Sequence, residues 1–264
     1  MDPLSFSAAL VTQRFGRPVE VHDRLESTNL TAAERARAGA PEGAAVVALE
    51  QSGGRGRRGR SWISPPGAGL YVSFVLRPTL PPAQASLLTI AAGVALRCAA
   101  EALCPGAELR TKWPNDLLAE GGPEHRKKLG GILMELSARP GQIDHAIVGL
   151  GLNLGVAPLP PEVGQRATSL EAHAGQRPSV PLAFARLAEA LEQWMEAVHD
   201  PPRLLEAYAA RAAGLGELVE LGLEEGPIVG RLRGFDAAGG LRIEREGQER
   251  TYFAGDLWLP GMPR

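Results

Sequence analysis

The feature that most constrains this chain is a run of four arginines and three glycines at positions 54–60. It lies between two compact apolar runs, at 44–49 and 70–76, which predict buried strands. Glycine lets the backbone approach a ligand closely, and arginine offers a planar fork of donors for phosphate or carboxylate. The run, called the arginine loop below, therefore predicts an anion-binding connection between strands. A flexible surface turn is the alternative.

Two well-known phosphate-binding patterns nearly match the arginine loop. Gly54-x-Gly56-x-x-Gly59 has dinucleotide-binding spacing, and Gly54 to Ser61 resembles a P-loop in which arginine replaces lysine. Both patterns require a helix directly after the loop. The following segment, Ser61-Trp62-Ile63-Ser64-Pro65-Pro66-Gly67, cannot start a long helix. Neither pattern therefore applies, and a bound phosphate would be held by arginines and glycine amides.

Composition limits the classes of protein that need to be considered. A length of 264 residues fits two domains, or one large domain with an appendage. The net charge of −2 provides no overall field for nucleic acid or anionic membrane, so any basic site is local. Two cysteines exclude a disulfide framework and a cysteine-built zinc site. No uninterrupted apolar stretch of about 18 residues predicts a membrane span, and residues 1–17 lack a signal-peptide pattern, so we expect a cytoplasmic protein.

Periodicity predicts an α/β (α+β) fold with a mixed or mostly antiparallel sheet. A capping box, Thr31-x-x-Glu34, predicts the start of the first helix. One predicted helix follows Ser27-Thr28-Asn29, and three more span 83–103, 181–198 and 202–213. The remaining strands predicted before residue 214 span 109–113, 129–136 and 146–154. Short strands at 218–221, 228–234, 241–244 and 250–253 suggest a small barrel. We therefore expect two domains, at 1–213 and 214–264.

Three further clusters carry chemistry-bearing side chains. Lys112-Trp113-Pro114-Asn115-Asp116 ends a predicted strand and offers groups for an anion and for Mg²⁺, although Pro-Asn-Asp is also ordinary turn chemistry. Lys127-Lys128 precedes a strand that contains Gly130-Gly131, and such glycines mark close approach of a ligand or another backbone. A solvent-facing lysine pair is the alternative there. A glycine-interrupted strand, 149–155, contains Asn153.

Hydrolases that use a nucleophilic side chain find no support in the remaining residues. The five histidines are scattered without metal-ligand spacing, and the chain contains no Gly-x-Ser-x-Gly elbow. We expect most of these histidines to lie on the surface or in turns.

Taken in order, four blocks of the chain resemble the biotin–protein ligase family. They are Ser27-Thr28-Asn29, Gln51 to Trp62, Lys112 to Asp116, and Lys128 to Glu135 followed by Gly149 to Asn153. The resemblance implies a catalytic domain of the class II synthetase and biotin–lipoate ligase type with a C-terminal SH3-like barrel. It also implies a reaction in two steps, in which biotin and MgATP give biotinyl-5′-AMP and a lysine of a biotin carboxyl carrier protein then takes the biotin.

The resemblance also assigns roles to residues. The residues implied for catalysis are Lys128, Arg57 and Lys112. Those implied for biotin are Ser27, Thr28, Asn29, Gln51, Gly54, Arg55, Gly56, Arg57, Lys128, Gly131, Gly149 and Gly151. Those implied for the nucleotide are Arg57, Arg60, Trp62, Lys112, Asn115, Lys128 and Asn153, and Asp116 is implied as a ligand of Mg²⁺.

Further expectations concern partners and the loop. About 26 residues precede Ser27, too few for the DNA-binding winged helix of regulatory members, so we expect a ligase without DNA binding. The protein is expected to be a monomer or homodimer without membrane association. The arginine loop is expected to be poorly ordered when empty, because its arginines repel one another and its glycines have high backbone entropy. We expect it to become ordered over biotin and the adenylate.

Two rival functions remain. A lipoate or octanoate ligase shares the fold. Such enzymes usually show an Arg-Arg, Gly-Gly-Gly and His-Asp pattern, or a reactive cysteine opposite a lysine, and neither is seen here. His199-Asp200 lies at a predicted helix end, and both cysteines lie on a predicted core helix. A nucleic-acid-binding module that uses the arginine loop is disfavoured by the near-neutral charge and the scarcity of aromatic residues for base stacking.

Overall fold

A computed structural model describes residues 3–263. Its helices are α1 (Pro3–Ala8), α2 (Thr28–Arg37), α3 (Ser86–Leu103), α4 (Pro161–Gly164), α5 (Leu170–Ala174), α6 (Val180–Glu196) and α7 (Pro201–Ala209). The first seven strands are β1 (Val19–His22), β2 (Ala45–Ala48), β3 (Gly69–Leu76), β4 (Leu109–Lys112), β5 (Asp116–Ala119), β6 (Lys128–Arg139) and β7 (Gln142–Asn153). The last five are β8 (Leu218–Leu223), β9 (Gly226–Phe235), β10 (Leu241–Arg245), β11 (Gln248–Tyr252) and β12 (Asp256–Trp258).

A seven-stranded mixed sheet forms the centre of the fold. Its strand order is β1-β2-β3-β7-β6-β5-β4. Only β1 and β2 run parallel, and every other neighbouring pair is antiparallel. The predicted mixed or mostly antiparallel sheet is therefore confirmed. The sequence did not predict α1, β1 or β5, each of which has six residues or fewer.

The main hydrophobic core lies where α3 and α6 cover one face of this sheet. The aromatic rings of Phe74 and Phe184 stack within it, with centroids 6.0 Å apart. By length and apolar composition the segment Pro82–Leu103 could cross a membrane, but 72% of that window is buried inside the fold. Packing against α6 and the sheet accounts for its apolar character, as expected for a core helix.

On the opposite face, α2 covers only part of the sheet, over a smaller core that includes Ala32 and Val75. The predicted capping box at Thr31 is wrong. The helix begins three residues earlier, at Thr28, and Thr31 lies inside it. The Gln51 side chain accepts from the Thr28 backbone N–H at 2.9 Å, so it satisfies one of the first-turn N–H groups that have no partner inside the helix. The Ser27 side chain makes no capping hydrogen bond.

A second sheet of five antiparallel strands, ordered β11-β10-β9-β8-β12, follows α7. The predicted strands of the C-terminal part are found, together with β12, which was not predicted. This sheet, consistent with an SH3-like barrel, packs against the rest of the chain. Trp113 Nε1 donates to Gly239 O at 3.1 Å and Lys112 Nζ donates to Leu257 O at 3.2 Å. The second sheet is thereby fixed beside the ends of β4 and β5.

Candidate active site

A cavity of about 470 Å³ opens on the face of the large sheet that α2 leaves uncovered. It is enclosed by the start of α2, the arginine loop, the glycine-rich parts of β6 and β7, and β12. It brings together every residue assigned from the resemblance except Gly54. Those residues are Ser27, Thr28, Asn29, Gln51, Arg55, Gly56, Arg57, Arg60, Trp62, Lys112, Asn115, Asp116, Lys128, Gly131, Gly149, Gly151 and Asn153.

Gly54 has a structural position instead. A Cβ atom at this residue would lie 2.2 Å from the carbonyl oxygen of Trp62. The Trp62 backbone N–H donates to Gly54 O at 2.9 Å, so the two ends of the arginine loop lie back to back. Gly54 is not among the residues that line the cavity, and its contact with biotin stays a prediction. Glycine is needed here for the close approach of two backbones.

One end of the cavity carries neutral polar groups. Gln51 Nε2 donates to Ser64 Oγ at 2.8 Å while Gln51 Oε1 accepts from the Thr28 N–H, so both halves of the amide are held. The same Gln51 oxygen lies 3.2 Å from Thr28 Oγ1. Asn29 packs directly on β7, where a Cβ at Gly149 would lie 2.0 Å from Asn29 Oδ1. Gly149 therefore leaves the space that Asn29 occupies.

The indole of Trp62 lies over two glycines that face each other across β6 and β7. Gly131 pairs with Gly151 in the register of these strands. A Cβ at Gly151 would lie 2.5 Å from Trp62 Cε2, and one at Gly131 would lie 3.0 Å from Trp62 Cζ3. Lys128 Nζ lies 5.2 Å from the centroid of the indole, within cation–π range. Trp62 Nε1 is buried against β7 and has no acceptor in the described chain.

The other end of the cavity is cationic. Asp116 lies between two ammonium groups, with its oxygens 2.8 Å from Lys112 Nζ and 2.6 Å from Lys128 Nζ. Burial raises the pKa of the Asp116 carboxyl, but the two ammonium groups outweigh burial and hold the pKa well below its ordinary value. The carboxylate therefore remains ionised and positions both lysine side chains at the cavity wall.

Arg57 adds a further cation that has no carboxylate partner. Its Nη1 donates to Asn115 Oδ1 at 3.2 Å, and within residues 3–263 no acidic side chain forms a salt bridge with it. Burial is the largest influence on the pKa of Arg57 and lowers it from its ordinary value. A guanidinium that is partly desolvated and lacks a paired anion is a seat for an anionic ligand.

Both oxygens of Asp116 contact lysines, so this carboxylate positions Lys112 and Lys128. Over the described chain, no group of three or more His, Cys, Asp or Glu residues is placed to hold a metal. Mg²⁺ that enters with ATP needs only one or two carboxylates beside the phosphates. The magnesium role of Asp116 stays a prediction.

The arginine loop connects β2 to β3, as predicted, and is joined to the C-terminal sheet. Arg58 has φ 56° and ψ 39°, which places it in the left-handed region. From this position Arg58 Nη1 donates to Asp256 Oδ2 at 3.1 Å, and Arg60 Nη2 donates to Asp256 Oδ1 at 2.8 Å. A single carboxylate on β12 thus holds two arginines of the loop over the cavity mouth.

Two acidic residues that hold site residues in place, Glu135 and Asp256, were not predicted from the sequence. Glu135 on β6 accepts from Asn29 and pairs with Arg55. Its signal was present, because strand alternation places residues 131, 133 and 135 on one face. Asp256 carried no comparable signal, since almost 200 residues separate it from the arginines that it binds.

Comparison with known proteins agrees with this geometry. The sequence model of the Biotin/lipoate A/B protein ligase family matches residues 21–153. The bifunctional ligase/repressor BirA of Bacillus subtilis is 35% identical over 253 residues, covering 93% of this chain and 75% of that protein. The biotin–[acetyl-CoA-carboxylase] ligase of Paracoccus denitrificans is 34% identical over 244 residues, covering 90% of this chain and 99% of that protein.

Among solved structures, the biotin protein ligase from Aquifex aeolicus in complex with biotin and ATP superimposes with a TM-score of 0.76 at 28% identity. The match covers 91% of this chain and 97% of that one. Fold and cavity together define a ligase that brings two anionic substrates to one cationic centre. The chain belongs to the Biotin/lipoate A/B protein ligase family.

Proposed function

We propose that this chain is a biotin–protein ligase that activates biotin with ATP to biotinyl-5′-AMP. It then transfers the biotin to a lysine of the biotin carboxyl carrier protein of acetyl-CoA carboxylase. The observation that carries the proposal is the single cavity that joins a neutral polar end, at Thr28 and Gln51, to a cationic end, at Lys128 and Arg57. Biotin has the same division, because its ureido ring is neutral and its valeryl chain ends in a carboxylate.

The polar end suits the ureido ring. Thr28 Oγ1 and Gln51 Oε1 converge as oxygen atoms 3.2 Å apart, and the Ser27 hydroxyl is not consumed by helix capping. Ureido N–H groups donate to such oxygens, and the ureido oxygen accepts from a hydroxyl. A lipoyl dithiolane ring has no N–H group and would leave these buried polar atoms without partners, at a cost of about 1–3 kcal/mol each. This disfavours the lipoate or octanoate alternative.

The cationic end suits the first chemical step. A carboxylate oxygen of biotin attacks the α-phosphorus of MgATP, and the bond to the pyrophosphate oxygen breaks. Both reactants are anions and repel each other strongly in a site with little water. Lys128, Lys112 and Arg57 offset that repulsion and stabilise the charge that develops on the phosphoryl oxygens. Mg²⁺ enters with the phosphates of ATP, as part of that substrate.

The second step needs no nucleophile from this chain. The amine of the acceptor lysine attacks the acyl carbon of the mixed anhydride, AMP leaves, and the nitrogen loses a proton to form the amide. The site residues therefore orient the reactants and screen their charge. This explains why the cavity contains cations, amides and hydroxyls rather than a nucleophile paired with a base.

We further propose that residues 214–264 form a separate C-terminal domain that helps to close the site. Asp256 holds Arg58 and Arg60, and the carbonyl of Leu257 holds Lys112. The arginines of the loop are thereby directed to the cavity and to β12. We propose no DNA-binding role, because a net charge of −2 supplies no overall field that attracts nucleic acid.

Transfer to an acceptor tests the proposal. The protein is incubated with biotin, MgATP and a purified biotin carboxyl carrier domain, and the acceptor is analysed by intact mass and by mapping of the modified peptide. We expect one biotin on one lysine, together with release of AMP. Modification by lipoate in place of biotin, or an unmodified acceptor after prolonged incubation, would overturn the proposal.

A further inference from the structure

A chain of four polar side chains runs beneath the polar end of the cavity. Glu135 Oε2 lies 2.7 Å from Asn29 Nδ2. Asn29 Oδ1 lies 2.6 Å from Ser73 Oγ, and Ser73 Oγ lies 2.8 Å from Thr28 Oγ1. Ser73 is completely buried, and Asn29 and Thr28 are each 4% exposed. Water therefore has little access to these groups, and they must satisfy one another.

The chemistry of Glu135 fixes the direction of the first two hydrogen bonds in this chain. An ionised carboxylate only accepts, so the Asn29 amide must present its NH₂ group to Glu135 and its oxygen to Ser73. Ser73 has one proton, which it donates to Asn29. Thr28 Oγ1 can give its one proton to Ser73 Oγ at 2.8 Å or to Gln51 Oε1 at 3.2 Å, and we assign it to the shorter contact.

The consequence appears at the cavity wall. Because Thr28 gives its proton to Ser73, it has none for Gln51, whose Oε1 already accepts from the Thr28 backbone N–H. Thr28 Oγ1 and Gln51 Oε1 therefore face each other at 3.2 Å as two acceptors. Two acceptors without a proton between them repel, and a ligand N–H group relieves that repulsion.

We propose that Glu135 is a positioning residue that makes Thr28 an acceptor and so selects a ligand that donates an N–H group at this point. The inference rests on the proposed function, in which that ligand is the ureido ring of biotin. Glu135 acts through Asn29 and Ser73 without lining the cavity. Its second oxygen pairs with Arg55 Nη2 at 2.9 Å, which joins the chain to the arginine loop.

Replacing the carboxylate by an amide permits the opposite direction. In Glu135→Gln the new NH₂ group can donate to Asn29 Oδ1, after which Asn29 donates to Ser73 and Ser73 donates to Thr28. The Thr28 hydroxyl would then direct its proton toward Gln51 and away from its acceptor role. The side chain keeps its size, so packing against β6 is preserved.

The test measures biotin affinity by calorimetry for the intact protein and for Glu135→Gln. It includes two carbamate analogues of biotin, each with a different ureido N–H replaced by oxygen. We expect Glu135→Gln to lower the affinity for biotin about tenfold, as for loss of a buried hydrogen bond. The substitution should raise the KM for biotin more than it changes kcat. One carbamate isomer, lacking the N–H that faces Thr28, should bind both proteins equally.

Ser73→Ala provides the second arm, because it cuts the chain between Glu135 and Thr28. If Glu135 acts through Ser73, the two substitutions together should weaken biotin no more than the larger single effect. Additive losses, or equal weakening of biotin and both isomers, would overturn the inference. If Glu135→Gln does not fold, Ser73→Ala alone must lower the affinity for biotin and leave unchanged the affinity for the carbamate isomer that lacks the N–H facing Thr28. Failure of the intact protein to bind biotin would instead contradict the proposed function.

Discussion

The Asp116 carboxylate accepts from Lys128 Nζ at 2.6 Å, and this contact places the lysine ammonium at the wall of the cavity. Lys128 begins β6, and its backbone N–H donates to Arg166 O at 2.8 Å, so the start of the strand is also fixed. Within residues 3–263 the Lys128 ammonium pairs with one carboxylate, that of Asp116, and its Nζ lies above the indole of Trp62. The ammonium is therefore oriented before substrates arrive, as electrostatic stabilisation of a transition state requires.

Removal of this ammonium should abolish most adenylate formation. We expect Lys128→Ala to lower the rate of biotin-dependent pyrophosphate exchange about 10²–10³-fold, the usual loss for one preorganised charge-stabilising group. The matched control is Lys127→Ala, because Lys127 pairs with Glu124 at 3.2 Å and does not line the site cavity. Near-normal exchange by Lys128→Ala would refute the assigned role.

The pH dependence of stability should report the lysine–carboxylate cluster. Asp116 has a depressed pKa, so its stabilisation is fully present above the ordinary carboxyl pKa of about 3.9 and is lost as pH falls through the lower folded value. We expect Asp116→Asn to reduce the free energy of unfolding by about 3 kcal/mol at pH 7. Urea titrations should show that this difference is constant between pH 7 and 5 and shrinks only below about pH 4. A difference that already shrinks between pH 7 and 5 would contradict the account.

The glycine beneath Trp62 should be intolerant of a methyl group. A Cβ at residue 151 would lie 2.5 Å from the indole, so Gly151→Ala must displace the ring. We expect a change in tryptophan fluorescence and KM values for biotin and ATP raised about tenfold or more, since the ring and the adjacent slot both move. Gly164→Ala is the control, because its Cβ would approach nothing closer than 4.0 Å. Unchanged fluorescence and KM in Gly151→Ala would show that the ring does not occupy this position.

Loss of Asp256 should release the arginine loop without unfolding the protein. The pairs with Arg58 and Arg60 are partly exposed, so Asp256→Asn should lower stability by about 1 kcal/mol or less. We expect faster tryptic cleavage at these arginines and protection of the loop by biotin with ATP. Glu249→Gln, which removes the partner of Arg242 elsewhere on the second sheet, serves as the control. If trypsin cleaves Asp256→Asn at the rate of the unsubstituted protein, Asp256 does not hold the arginine loop. Identical cleavage with and without ligands would contradict closure of the loop over biotin and ATP.

Much of the fold was readable from the sequence because its signals are local. The apolar runs of β3 and β7 and the long core helix α3 are continuous patterns, and the arginine loop stands out between two of them. The short strand β5 was missed because it has only four residues and directly follows a turn. The capping box at Thr31 failed because the helix already begins at Thr28, where the distant side chain of Gln51 accepts from the first N–H group.

The sequence predicted which residues belong to the site better than it predicted how those residues contact one another. All residues that the motifs assigned to the site, except Gly54, line the cavity. The motifs gave no sign that Asp116 is enclosed by two lysines. That pairing depends on the register of β5 with β6, where Asp116 lies opposite Gly131. Contacts made across long sequence separations, such as Asp256 with Arg60, depend on how the second sheet packs against the first.

Pyrophosphate exchange with alternative acids tests the central claim most directly. Purified protein is incubated with MgATP and labelled pyrophosphate, with biotin, lipoate or octanoate as the only carboxylic acid, and label in ATP is counted. The account predicts exchange with biotin and none above background with the other two, because only biotin supplies N–H groups to Thr28 and Gln51 as well as a carboxylate to the cations. Exchange that requires lipoate or octanoate and does not occur with biotin would contradict it.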